Sequence, residues 1–559
     1  MSIHDFTKPP RQLKMVAWYD PIQLFRTAMN VFISLIFGRH ADYRLIEALG
    51  SPDIKIQDYT NVATEKEFWI DYVADLGDGW NSTYAIAYQI AQPSLVLQDS
   101  NKNSHITQRG LILIFGGDTV YPVANRSEYK ERLITPYTTA LGKTVAPHPD
   151  VYVIPGNHDW YDSLAAYTRL FCSKRWFAGW RTQQERSYFA LKLPHHWWII
   201  GTDIQLDSDI DDMQIKFFKK VAAEMQPDDR VILCSAEPEW IYAKIYGKAD
   251  PEYSENNLTF LENVLFKKKI SVFLSGDLHH YRRHENSNNT QKITAGGGGA
   301  FLHPTHGQDV KTLSGDFILK KSFPDPTTSK RLCWKNFGFL FLNPYFGILT
   351  GLFYLLTIWS AKTDLSQFGL NDWKIALSTV FNQALKTPIG MFWIVAVIAG
   401  FIAFTDTHSR LYRITAGLLH AFVHLLAAFF IGWASIRLCN NYGFSYDSTS
   451  QLLLSGTFIF IGGWIIGSYI MGVYLFISLN LFGRHSNEAF SSLAIQDWKN
   501  FIRIKIDSSG ELTIYPVGIR RVARKWKIRD SEASGPNMLP DDSKATNPEL
   551  IENPIIIRQ

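Results

Sequence analysis

Four apolar segments, at about 338–359, 388–405, 414–436 and 453–481, are each long enough to cross a bilayer, and they constrain this chain more than any other feature. The second is marginal in length and the fourth is long enough to tilt. The membrane question is local, because residues 40–330 carry mixed charges at ordinary soluble density whereas Phe, Leu, Ile, Gly and Trp dominate 337–482. A chain of 559 residues also exceeds what one ordinary core can bury, so at least two domains are expected.

Lys330, Arg331 and Lys335 precede the first span, Arg410 and Arg413 fill the short second loop, and Arg484 follows the fourth. Under the positive-inside rule these loops face the cytoplasm. The opposing loops carry Lys362, Lys374, Lys386 and Arg437, with Asp364 and Asp372 among them. The N-terminal MSIHDFTKPPRQLK lacks the basic-then-apolar run of a secretory signal. Residues 21–38 are apolar but interrupted by Arg26 and Asn30, which predicts an amphipathic helix lying on the membrane or an ordinary core helix.

A formal charge of +4 is too small for a nucleic-acid surface, so nucleic acid is not an expected partner. Cys172, Cys234, Cys333 and Cys439 lie far apart without Cys-x-x-Cys spacing, which indicates neither a zinc knuckle nor a disulfide framework and fits a reducing compartment.

Between 66 and 295 short apolar runs (FWIDYVA, LILIF, VYVI, HWWII, VILC and SVFL) are each followed by Gly, Asp, Asn or His. They read as buried strands, with helix-like stretches such as 211–224 between some of them. Polar residues at strand ends are where open α/β sheets place their sites. Four clusters fall there: Asp75-Leu-Gly-Asp78, Gly117-Asp118-Thr-Val-Tyr121, Gly156-Asn157-His158-Asp159 and Gly276-Asp277-Leu-His279-His280. Each alone is as well explained by turn chemistry.

Their order and strand context resemble the calcineurin-like metallophosphoesterase superfamily, whose pattern runs D-x-H or D-x-G, G-D, G-N-H-D/E, a His after a buried strand, and G-H-x-H. Asp75-Leu-Gly77 paired with Gly117-Asp118-Thr-Val-Tyr121 is most similar to the purple acid phosphatase branch. The resemblance covers about 70–306, and GNHD preceded by VYVIP is its most specific part.

It implies divalent metal ions, one or two per chain, which bind phosphate oxygens and activate water against an anionic ester. By resemblance Asp118 bridges two ions, Asp75 and His279 serve the first, and Asn157 serves the second. His158 faces the substrate as transition-state stabiliser or proton donor, with Asp159 orienting its ring. Tyr121 is either a ligand of the first ion or a packed tyrosine.

Two departures bear on the second ion. The family places a metal-binding His two residues before Pro where this chain reads Ser235-Ala236-Glu237-Pro238, and the first His of the last motif is replaced by Asp277. The second site is expected to keep Asp118 and Asn157 and to gain Asp277 and Glu237. An oxygen-rich set favours Mn or Mg, with Fe or Zn as alternatives.

Other residues carry open readings. Gly296–Gly299 either lets backbone approach a substrate or forms a flexible loop. His303 and His306 are candidate replacement nitrogen donors, while His195 and His196 read as surface or core residues. His420 and His424 share one face of the third span, where they serve a lipid, metal or proton site or simply bond to a neighbouring helix. Gly463 and Gly467 fit close helix packing. FISLIFGRH at 32–40 and FISLNLFGRH at 476–485 echo each other too briefly to establish a repeat.

The expected architecture is a four-layer α/β metallophosphoesterase sandwich, an α-helical transmembrane bundle of about four spans and a small C-terminal β-hairpin. Its parts are an N-terminal segment over 1–50, a metallophosphoesterase domain over 60–306, a linker over 307–336, a transmembrane domain over 337–482, a hairpin region over 483–530 and a mobile tail over 531–559. The expected function is a multi-pass membrane phosphohydrolase with a cytoplasmic catalytic domain, acting on a phosphomonoester or phosphodiester that is a phospholipid or lipid-linked. The alternative is a catalytically reduced domain that binds a phosphate ligand and regulates the bundle. A transporter has thinner support, since the broken paired segments of many transporters are missing. Oligomeric state is not encoded legibly.

Overall fold

The structure is a computed structural model that describes residues 9–37, 54–62, 67–141, 148–204, 206, 209–247, 257–267, 269–360, 371–405, 409–446, 448–529 and 536–558, with side chains 30–37 excepted. The chain divides into two compact units. The first comprises Met1–Val16, Thr27–Ser329 and Ala494–Gln559, and the second Ala17–Arg26 and Lys330–Leu493.

Two mixed sheets build the first unit. The six apolar runs all lie in strands: Glu67–Val73, Ile112–Gly116 and Asp150–Ile154 in one sheet, Trp197–Gly201, Arg230–Ser235 and Ile270–Ser275 in the other. Within each trio the strands pair in parallel, so their carboxyl ends point the same way. Continuous apolar runs are what parallel strands covered on both faces require. Ile70, Ile114, Tyr152, Ile502 and Ile514 of one sheet pack against Ile199, Ile232, Val272, Leu274 and Ile293 of the other in a shared core. The opposite face of the first sheet meets helices Trp80–Ala91, Thr135–Leu141 and Ala165–Phe171. That of the second is covered partly by Asp212–Glu224, a helix capped by the Asp211 carboxylate accepting from Gln214 N–H at 2.8 Å.

The C-terminal region does more than the expected hairpin and tail. Lys499–Asp507 pairs antiparallel with both Glu67–Val73 and Leu512–Ile519, so it is an interior strand of its sheet. Residues 538–557, expected as mobile, contain further short strands, and Ile555–Ile557 pairs with Leu512–Ile519 and sends Ile555 and Ile557 into the shared core. Their Pro-, Asp- and Ser-rich spacing concealed a strand of three isoleucines. The expected linker over 307–336 likewise contains strand Phe317–Phe323, which closes on Tyr281–Glu285. Lys320 and Lys321 on its outer side hid the strand pattern.

A buried ion pair secures the interior strand. Arg503, fully buried, donates from Nε to Asp71 Oδ1 at 2.9 Å and from Nη2 to the carbonyls of Gln89, Ile90 and Gln92 at 3.2–3.4 Å.

In the second unit, Arg410–Asn441 and Thr449–Phe482 are long and apolar enough to cross a membrane. Up to four spans result if each bent pair, Pro326–Leu342 with Phe346–Ser360 and Trp373–Lys386 with Pro388–Phe404, counts as one. His420 and His424 face each other with Nε2 atoms 3.2 Å apart, and His424 Nδ1 lies 3.0 Å from the Tyr354 hydroxyl on a neighbouring helix. Gly463 and Gly467 allow close helix contact within the chain, since a Cβ at either would come within 2.9 Å and 2.6 Å of Tyr354 and Thr350. In the N-terminal helix Pro21–Phe37, Ile22, Phe25 and Met29 are exposed. Residues 38–40 of the first echo segment lie outside the described residues, as do Lys362 and Asp364.

Removing the Arg503 side chain strands Asp71 in the core. Arg503→Ala is expected to cost about 3–5 kcal/mol, read as a lowered unfolding midpoint of the full-length protein in detergent.

Candidate metal centre

The loops that carry the candidate residues leave the carboxyl ends of parallel strands. Asp75 follows Glu67–Val73, Asp118 follows Ile112–Gly116, Asn157 and His158 follow Asp150–Ile154, and Asp277 and His279 follow Ile270–Ser275. Asp75, Asp118 and Asp277 all adopt positive φ, at 58°, 45° and 65°. This left-handed backbone is costly for most residues and concentrates at functional sites. The loops are laced together: Asp75 N–H donates to Gly117 O at 3.1 Å, Leu76 N–H to Asp118 O at 2.8 Å and Asp277 N–H to Asp75 Oδ1 at 3.0 Å.

At the middle lies the Tyr121 hydroxyl, 3.0 Å from Asp118 Oδ2, 3.3 Å from Asp75 Oδ1 and 3.0 Å from His279 Nε2. His279 Nδ1 is 2.7 Å from Phe301 O, and a carbonyl can only accept, so the neutral ring carries its proton there. Its Nε2 is therefore an acceptor as well. Two carboxylates and an imidazole lone pair thus converge on one phenolic hydrogen, and Asp75 Oδ2 is buried with no donor among the described residues. Burial pushes Asp75 well above the usual carboxylate range, with Asp118 and then Asp277 adding repulsion. Burial likewise raises Asp118 to about 6 and, with Glu237 and Asp118, drives Asp277 well up. His279 is held well below its ordinary value by burial first and then by His303.

An acceptor-rich, donor-poor, buried cluster fits a cation. Its imidazole is oriented by a backbone carbonyl, as metal-binding histidines usually are. Among the described residues no three His, Cys, Asp or Glu side chains already stand at coordination spacing; His279 Nε2 and Asp75 Oδ1, for instance, are 4.0 Å apart.

The second group of candidates is looser. Asp277 accepts from the Tyr242 hydroxyl, and Asn157 Nδ2 donates to the Tyr161 hydroxyl at 3.3 Å. Asp118, Asp277 and Glu237 all raise Tyr161, which burial brings up to about 12, so this phenol sits within reach of the three carboxylates. Ala236 occupies the position of the missing imidazole beside the bridging loop, since a Cβ on Gly117 would come within 2.9 Å of it.

Asp159 requires a correction. Its carboxylate accepts from Thr119 N–H at 3.1 Å, Thr119 Oγ1 at 2.5 Å, Gly156 N–H at 3.0 Å and the Tyr129 hydroxyl at 2.6 Å. These four donors occupy it as a strut between the Asp118 and His158 loops. The His158 ring is oriented instead by Pro122 O, 2.7 Å from Nδ1, and lies between the rings of Tyr121 and Tyr161. His158 N–H donates to Asp118 Oδ1 at 3.0 Å.

The glycine run approaches the site floor. A Cβ on Gly296 would come within 2.1 Å of Asp75 Oδ2, and one on Gly298 within 2.4 Å of Ala74 O. His303 stacks on His279 at 3.9 Å between ring centres, presenting its face, and His306 Nδ1 turns to Ser329 Oγ at 2.8 Å. Neither is arranged as a replacement donor beside Asp277. Of the outlying pair, His196 Nδ1 bonds Asp229 Oδ1 at 2.9 Å, far from this chemistry.

Sequence reasoning missed Tyr161, Tyr242 and Lys499. Tyr161 had a signal, four residues after Asn157 and hence on its side of a helical turn. Lys499 had none. It is fully buried, donates to Ala300 O, and is lowered to about 8 by burial against the opposing pull of Asp78, Asp497 and Asp75.

Residues 68–281 match the family model described as calcineurin-like phosphoesterase, so the chain contains a domain of that phosphate-ester-hydrolysing class. No curated protein matches the sequence. Among solved structures, GAP50, the anchor in the inner membrane complex of Plasmodium, is 14% identical over 45% of this chain and 77% of its own, with a TM-score of 0.33. Purple acid phosphatase PPD1 from yellow lupin (Lupinus luteus) is 16% identical over 46% of this chain, with a TM-score of 0.31; the match spans 48% of the lupin chain. A dimetal phosphatase from Danio rerio is 12% identical over 42% of this chain and 88% of its own, with a TM-score of 0.24.

A methyl group at Gly296 would collide with Asp75. Gly296→Ala is expected to lower Mn retention roughly tenfold or more, measured by metal analysis after dialysis, with the far-ultraviolet dichroism of the wild type.

Proposed function

We propose that this chain is a multi-pass membrane phosphohydrolase that cleaves a phosphomonoester or phosphodiester, lipid-linked or presented at the bilayer. The observation that carries the reading is the convergence of Asp75, Asp118 and His279 acceptors on the single Tyr121 hydrogen. Asp75, Asp118 and His279, with Tyr121, would hold one divalent ion; Asp118, Asn157, Asp277 and Glu237 would hold a second. Such ions supply the positive charge that binds phosphoryl oxygens and the acidity that yields a nucleophile near neutral pH. Oxygen donors predominate, which favours Mn or Mg.

The protein's own residues supply orientation and proton handling. Pro122 O keeps a proton on His158 Nδ1, which leaves Nε2 to meet the ester; burial favours the neutral ring, so Nε2 passes a proton to the leaving oxygen only after it has itself taken one up. Tyr121 and Tyr161 flank that ring and limit its rotation. The Asp159 strut fixes the distance between the loops of Asp118 and His158.

Topology supports the membrane part of the reading. Met1–Val16, Thr27–Ser329 and Ala494–Gln559 share one folded unit, and a folded body cannot occupy both sides of a bilayer. An even number of crossings between 330 and 493, as two or four spans would give, fits that. Lys330, Arg331, Lys335 and Arg484 favour the cytoplasmic side for that unit under the positive-inside rule.

The test is hydrolysis of aryl phosphates by the full-length protein with Mn. His158→Ala is expected to lower kcat by about 10²–10⁴ while Mn retention is kept, and Asp118→Ala is expected to abolish both. Inactivity of the wild type across Mn, Mg, Fe and Zn, with phosphate-ligand binding intact, would overturn hydrolysis in favour of a regulatory binding domain.

A further inference from the structure

Register pairs a row of polar residues across the second sheet: Ser235 with Ser275, Ser275 with Thr294, Thr294 with Arg282, and Arg282 with Ser322. Partners in register point to the same face. Their chain neighbours Cys234, Leu274, Ile293, Tyr281 and Phe323 fill the core between the sheets, so the row lies on the opposite face. All five polar residues are buried nonetheless.

Arg282 is 3% exposed, and its one hydrogen bond runs from Nη2 to Thr305 O at 3.3 Å. Nε and Nη1 have no partner among the described residues. A carbonyl supplies no counter-charge, and burial lowers this guanidinium to about 10 with no carboxylate among the described residues to offset it. The fold treats its other buried arginines differently. Arg283, the next residue, is clamped by both Glu552 oxygens at 3.0 and 2.7 Å, and Arg503 has Asp71.

Two imidazoles lie beside Arg282. His280, 1% exposed, hydrogen-bonds the backbone of His303. His284, fully buried, donates from Nε2 to Val310 O at 2.7 Å, so its Nδ1, unpartnered among the described residues, is an acceptor. Both imidazoles feel the positive charge of Arg282. Thr294 and Ser322 flank the guanidinium with hydroxyls on its own face. Lys292, in register with His284, adds positive charge beside that ring while lying over the rings of Trp240, Phe273 and Phe317 with Glu262 opposite it.

We propose that the Arg282 cluster is a binding site for one tetrahedral oxoanion of the phosphate class, held by the guanidinium and the flanking hydroxyls, with the hydroxyl of a hydrogen phosphate donating to His284 Nδ1. A guanidinium whose Nε and Nη1 both lack a partner among the described residues presents charge-assisted N–H donors to such an ion, and hydrogen bonds of this kind are the strong ones. The anion supplies the counter-charge that the protein omits. The site adjoins the candidate metal centre in sequence, His279 facing one and His280 the other, yet its charge is opposite: carboxylates crowd the first and a guanidinium stands in the second. The inference does not depend on the hydrolytic reading, because it would hold for a domain that hydrolyses nothing.

The experiment is calorimetric titration of the full-length protein in detergent with inorganic phosphate, in EDTA so that no metal contributes. One phosphate per chain is expected for the wild type and equally for Asp118→Asn. Arg282→Gln should weaken binding by roughly tenfold or more. If that variant does not fold, the double change Thr294→Val with Ser322→Ala keeps the charge, removes two donors and should still weaken binding several-fold. Competition by glycerol 1-phosphate would assign the site to phosphorylated headgroups as well as free phosphate, and lack of competition to the free ion. No saturable binding by the wild type up to about 10 mM phosphate, or equal affinity in the variants, would overturn the proposal.

Discussion

Negative charge crowded into a dry place governs the architecture of the first unit. Asp75, Asp118 and Asp277 are brought together from three strand ends, and Glu237 adds a fourth carboxylate to the same field. Burial and mutual repulsion both oppose that arrangement. What keeps it together is backbone: three left-handed aspartates, the cross-loop bonds from Asp75 and Leu76, and a glycine run pressed against the same turn. Side-chain struts complete it, with Asp159 joining two loops and Tyr121 spanning three acceptors. The glycines are thus a steric condition for the cluster rather than a source of mobility.

Much of this was legible because strand ends announce themselves. Six apolar runs marked six strands, and the polar residues after them marked the loops that meet. What escaped were relationships between distant segments. Nothing near Lys499 or Arg503 signals that their strand lies inside the sheet begun at Glu67, and only pairing over more than four hundred residues reveals it. Asp159 was misread for a different reason: adjacency to His158 suggested a partner, but the turn directs its carboxylate to backbone and hydroxyl donors on the other loop. Residues 307–336 and 538–557 were misread by composition, since Lys, Pro and Asp between short apolar stretches hide edge strands.

The order of the two units along the sequence has a physical consequence for folding. Glu67–Val73 pairs on one side with Ile112–Gly116 and on the other with Lys499–Asp507. Until residues beyond 494 are made, that strand is an unpaired, apolar edge, and Asp71 lacks Arg503. Exposed edges of this kind invite wrong pairing. The phosphoesterase fold is therefore completed last, after the apolar helices between 330 and 493 have been synthesised.

The exchange of imidazoles for oxygen donors follows the same logic of charge. A methyl at Ala236 and a carboxylate at Asp277 stand where the family pattern has two neutral nitrogen ligands. Replacing a neutral donor with an anionic one raises local repulsion, so Glu237 and Asp118 add to the effect of burial in driving Asp277 up. Tyr242 donates its hydroxyl to Asp277, which softens the repulsion without adding charge, while Tyr161 accepts from Asn157 Nδ2. Oxygen-rich donor sets in general discriminate by charge density and oxygen affinity rather than by softness, which is the basis on which hard divalent ions are separated from zinc.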